Sequence, residues 1–63
     1  MTEAERVKNW CAFYKQSPQK YNMNALLAVL KNDGEKMLQA VLRELGLERS
    51  LELVKDAAKN DAP

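Results

Sequence analysis

The stretch Asn24-Ala25-Leu26-Leu27-Ala28-Val29-Leu30-Lys31-Asn32-Asp33-Gly34-Glu35-Lys36-Met37-Leu38-Gln39-Ala40-Val41-Leu42-Arg43-Glu44-Leu45-Gly46 decides the fold of this chain. In its second half Met37, Leu38, Val41, Leu42 and Leu45 recur at helical spacing, which predicts an amphipathic helix from about Gly34 to Leu45. Gly46 stops it, because glycine adopts the left-handed conformation just past a helix end; Leu47 then folds back onto Leu42. In the first half Leu26, Leu27 and Leu30, with Met23 before them, form one face, while Ala25, Ala28 and Val29 form the other. A helix over about 24–32 would therefore have almost no polar side, the pattern of a buried helix. Asn32-Asp33-Gly34 reads as the turn between the two, with Asp33 capping the later helix.

Working outward, Thr2 and Glu5 have the spacing of a capping box at the start of a first helix, about 3–16. Val7, Trp10, Cys11 and Tyr14 follow on one face, and Ser17-Pro18 breaks the helix, since proline disfavours helical geometry in the residue before it. The next helix could start at Pro18 with Ser17 as its cap, or later with Asn22 or Asn24; the later start fits the apolar pattern better. Beyond Gly46, Leu47, Leu51, Val54 and Ala58 mark a fourth helix over about 48–59, and residues 60–63 read as a frayed tail. The position seven after Leu45 is Glu52, so the apolar stripe shifts phase at the glycine and two helices are expected there. Nine leucines and eight alanines against four valines and no isoleucine favour helix over sheet. The expectation is an all-α, single-domain bundle of four short helices.

Size bounds what this bundle can be. A chain of 63 residues buries only about 60% of the surface its unfolded form exposes, and a core of this size supplies no more than ~3–5 kcal/mol. Nature supplements such cores with disulfides, metals or oligomerisation. One cysteine and no histidine remove an intrachain disulfide and a multi-ligand Cys/His zinc site by counting. Close helix packing, self-association or a partner remains. The net charge is +1; residues 1–23 carry +2, 24–46 carry 0 and 47–63 carry −1, with no block of like charge. The acidic start, Glu3 and Glu5, is unlike a secretory signal, and no apolar run approaches membrane-spanning length; with one free cysteine, this places the expected location in a cytoplasm.

Enzyme chemistry finds little to work with. Ser17-Pro18-Gln19-Lys20 spells Ser-x-x-Lys, but the oxyanion hole and substrate cleft of that chemistry exceed what so few helical residues build. Glu44/Glu48 and Glu48/Glu52 are spaced for mutual repulsion on a solvated face. No catalytic residue, cofactor site, metal site or small-molecule substrate is expected. A helix-turn-helix centred on Gly34 would place Arg43 where the second helix needs an apolar contact, and its exposed face would mix Glu35, Lys36, Gln39, Arg43 and Glu44. Cys11, on the apolar face of the first helix, reads as a small buried hydrophobe rather than a redox sensor.

Trp10-Cys11-Ala12-Phe13-Tyr14 is the sharpest feature: five uncharged residues at roughly 100° each cover the whole helix circumference, and Phe13 falls about 110° from the centre of the core stripe. Aromatic anchors dominate binding hot spots, so Trp10, Phe13, Tyr14, Tyr21 and Met23 are the expected interface residues. The all-round apolar second helix points the same way, to a homodimer with the first two helices near the two-fold axis. The function expected is that of a small non-enzymatic accessory or regulatory protein of the kind bacterial and phage genomes encode, acting through itself or a protein partner. The competing expectation is a nucleic-acid binder using Arg6, Lys8, Lys15 and Lys20. Ala12-Phe13 and Lys20-Tyr21-Asn22-Met23, followed by a short apolar helix, a turn and a helix ending near Leu45, resemble the theta accessory subunit of bacterial replicative DNA polymerase over residues 12–45. That resemblance implies a small helical protein that binds the proofreading exonuclease subunit. The chain departs from it in a longer spacing before Tyr21, the lack of a proline after Met23, and a C-terminal segment without counterpart.

Overall fold

The computed structural model describes residues 2–17 and 22–61, and every regular element among them is helical: α1 (Glu3–Lys15), α2 (Met23–Leu45), a single 3₁₀ turn (Glu48–Ser50) and α3 (Leu51–Asp61). The radius of gyration, 10.9 Å, is close to the ~10.6 Å of a compact chain of this length. No described helix is long and apolar enough to cross a membrane.

Local hydrogen bonds set most boundaries. At the start of α1 the Glu5 N–H donates to Thr2 Oγ1 at 3.2 Å and the Thr2 N–H reaches Glu5 Oε1 at 3.4 Å, closing the expected capping box. Asn22 caps α2: its Oδ1 accepts from the Ala25 N–H at 3.3 Å, while its Nδ2 donates to the Tyr14 carbonyl at 3.3 Å. The same side chain thus starts α2 and ties it to the end of α1. Gly46 (φ 73°) ends α2; its N–H donates to the Arg43 carbonyl at 3.2 Å and the Leu47 N–H to the Leu42 carbonyl at 2.8 Å, the paired bonds of a Schellman cap.

Three helical segments and a 3₁₀ turn stand where four helices are expected, the two expected over 24–32 and 34–45 being joined across a kink at Gly34. Helix covers residues 24–32 and 34–45 in two stretches that meet at a kink, with no three-residue turn between them: Gly34 alone, at φ 86° and ψ 178°, is non-helical. Only glycine enters that backbone region without strain, so one residue does the work assigned to Asn32-Asp33-Gly34. The fourth helix, expected over 48–59, opens with the 3₁₀ turn and continues to Asp61, so Asn60 and Asp61 are helical rather than frayed. The first helix ends at Lys15, with Gln16 as its cap. Pro18 and residues 62–63 lie outside the described residues.

The core follows from these elements. Leu26, Leu38, Val41, Leu42 and Val54 are almost wholly buried, joined by Ala25, Val29, Met37, Cys11 and Tyr14. The stripe from Met37 to Leu42 is buried as its spacing requires, with Leu45 half-buried at its end. In the first part of α2 the buried side is Ala25, Leu26 and Val29, whereas Met23, Leu27 and Leu30 are half-buried against the core edge and Ala28 is half-buried. That segment is therefore not enclosed on all sides. Lys55 pins α3 to the second part of α2 through Glu35 at 3.3 Å, with Glu52 at 3.9 Å. The hydrogen bond that Lys55 donates to Glu35, and then the Glu35 charge, raise the Lys55 pKa, so this contact is complete below the ordinary lysine range and lost as pH rises through the raised value.

Asp33 is a half-buried carboxylate at the edge of an otherwise apolar core. It does not cap a following helix; its carboxylate turns to α1, where Oδ2 accepts from Trp10 Nε1 at 2.6 Å and Oδ1 pairs with Arg6. The Asp33 side chain is only 11% exposed against 45% for Arg6. Two substitutions test this frame. Gly34→Ala is expected to lower stability by about 1–3 kcal/mol although a Cβ there meets nothing, because the cost is one of backbone conformation; thermal denaturation followed by circular dichroism measures it. Asp33→Ala, which leaves the Trp10 N–H without an acceptor, is expected to cost about 1–3 kcal/mol by the same assay, and Asp33→Asn, which keeps an acceptor oxygen, distinctly less.

Candidate functional site

α1 presents two flanks on either side of its core-facing side chains Tyr14 and Cys11. On one flank lie Arg6, Trp10 and Phe13. The Trp10 and Phe13 rings meet edge to face, with centroids 5.9 Å apart and planes at 71°, a favoured aromatic geometry. Trp10 is half-buried and oriented by its bond to Asp33; Phe13 is 45% exposed. Phe13 and Leu53, at 55%, are the large exposed hydrophobic side chains among the described residues. Leu30 stands one turn before Asp33 and is half-buried.

The structure separates the five residues singled out from the sequence. Trp10 and Phe13 are brought together as a pair, with Trp10 also serving the intrachain contact to Asp33. Tyr14 is buried in the core, Met23 is half-buried at the start of α2, and Tyr21 lies outside the described residues. The basic set is similarly divided. Arg6 is paired with Asp33, Lys20 lies outside the described residues, and Lys8 and Lys15 sit on the opposite flank.

That opposite flank forms an open groove of about 720 Å³ between α1 and the second part of α2. Its apolar floor is lined by the buried or half-buried Val7, Cys11, Ala40 and Leu45, with Ala4 and Ala12 exposed beside them. Lys8, Lys15 and Arg43 stand along its rim, with Glu44 the single acid. Arg43, out of place in a helix-turn-helix, is the one sign of this groove in the sequence, which carries no trace of the long-range pairing of α1 with residues 40–45.

Cys11 on the groove floor is 7% exposed. Burial pushes its thiol pKa up, the nearby Glu44 carboxylate adds to this, and Lys15 opposes it. A neutral, shielded thiol is a poor nucleophile. Alkylation of Cys11 at neutral pH is expected to be much slower in the native chain than in denaturant, which a time course of iodoacetamide modification read by mass spectrometry measures. No protein-family model, curated protein or solved structure matches this chain, so the likeness of residues 12–45 to the theta subunit rests on those residues alone.

Proposed function

We propose that this chain is a small non-enzymatic binding protein that acts through protein contacts, as a homodimer built on the Trp10–Phe13 flank of α1. The observation that carries the proposal is Phe13, a large aromatic 45% exposed beside a tryptophan whose orientation is fixed. An aromatic ring held in one orientation loses little entropy on binding, and such rings at the centre of an interface supply a large share of its energy. Leu30, half-buried one turn from Asp33, extends the apolar character toward α2. A core this small gains from a second chain, in line with the general reliance of short domains on association. The nucleic-acid reading is less favoured, because Arg6 is committed to Asp33 and the remaining described cations of that set border an apolar floor rather than a polar track.

Sedimentation at micromolar concentration tests the proposal. A mass of twice 7.2 kDa is expected, falling to 7.2 kDa in Phe13→Asp with helix content kept and the melting temperature lowered and no longer dependent on protein concentration, a weakening of at least about 30-fold. A wild-type chain that stays at 7.2 kDa at millimolar concentration overturns the dimer.

A further inference from the structure

The groove on the other flank of α1 carries a more specific reading, independent of the Phe13 surface. We infer that it is a docking site for an amphipathic helix of another protein whose flanks are acidic.

Both walls of the groove are helices, and the trough between two packed helices receives the side-chain ridge of a third. The floor supplies the apolar contact, and its small residues Ala12 and Ala40 let an incoming backbone approach closely. The rim sets the chemistry of the visitor. Three cations face the groove against one carboxylate, and among the described residues none of Lys8, Lys15 and Arg43 is engaged in an ion pair. Lys8 and Lys15 stand seven residues apart on α1, two turns or roughly 10.5 Å along the axis. A helix lying along α1 meets both with carboxylates at the same seven-residue spacing, while its leucine or methionine ridge faces Val7 and Leu45. Phosphate-rich partners fit less well, since an apolar floor gives a nucleic-acid backbone nothing to bind and the three cations are too few for a strong electrostatic footprint.

The probe is a synthetic amphipathic helix of about 20 residues, with a leucine ridge flanked by glutamates seven apart, fluorescently labelled and titrated with the full chain. The expected result is saturable binding that weakens as salt rises from ~50 to ~500 mM. Lys8→Glu with Lys15→Glu is expected to weaken it at least tenfold and to be rescued when the peptide's glutamates are replaced by lysines. Ala12→Trp, which fills the floor from an exposed position, is expected to abolish binding with the melting temperature retained. Phe13→Asp is expected to leave peptide affinity unchanged, which separates this site from the proposed dimer surface. Several results overturn the inference: no binding of the acidic peptide at ~100 μM, equal affinity for a lysine-flanked peptide, or displacement of the peptide by duplex DNA at comparable affinity. A shift of the wild-type dimer to monomer in the Lys8→Glu/Lys15→Glu variant overturns it too, because the occupant is then a second copy of this chain.

Discussion

The structure depends on how α2 changes course at Gly34 while the residue before it is fastened to α1. A continuous helix of 23 residues would extend ~35 Å, longer than the 31 Å largest dimension of the molecule. The break at Gly34 lets the two parts of α2 pack on α1 in succession, and the Asp33 carboxylate, held by Trp10 and Arg6, fixes where α1 lies against the break. Leu26 and Val29 before the break, and Leu38, Val41 and Leu42 after it, then share one core. The two flanks of α1 inherit their characters from this arrangement: one closes on Asp33 and leaves Phe13 outside, the other opens as the groove beside residues 40–45.

Features settled within a few residues were legible from the chain alone. The Thr2–Glu5 box, the stop at Gly46 and the stripe from Met37 to Leu42 all depend on hydrogen bonds or spacings that close within one or two helical turns, whereas the choice of Asn22 over Ser17 or Asn24 as the cap of α2 was left open. The break between the parts of α2 was visible in Asn32-Asp33-Gly34, but its form was not. Turn-forming residues announce that a helix is interrupted; whether one residue or three leave helical geometry is decided by the partners on other elements. Asp33 is the clearest instance, since its acceptors' demand comes from Trp10, 23 positions earlier, and a local reading assigns the same carboxylate to capping. The burial of Ala25 and Val29 in preference to Leu27 and Leu30 has the same origin, because an all-apolar segment contains no periodicity to say which side meets the core.

The two flanks of α1 were partly legible for a related reason. Phe13 stood off the core stripe by arithmetic on the helix, and it is exposed. Tyr14, on that stripe, is buried. Lys8, Lys15 and Arg43 belong to different parts of the chain, and only the packing of α1 on the second part of α2 puts them around one apolar floor.

Trp10 is the sole tryptophan, and its indole nitrogen rests on a carboxylate that belongs to a different helix. Its emission therefore registers the docking of α1, whereas the far-ultraviolet signal sums helix from every element. Comparing the two optical transitions asks, without any label, whether so short a chain melts as a unit or sheds its first helix early.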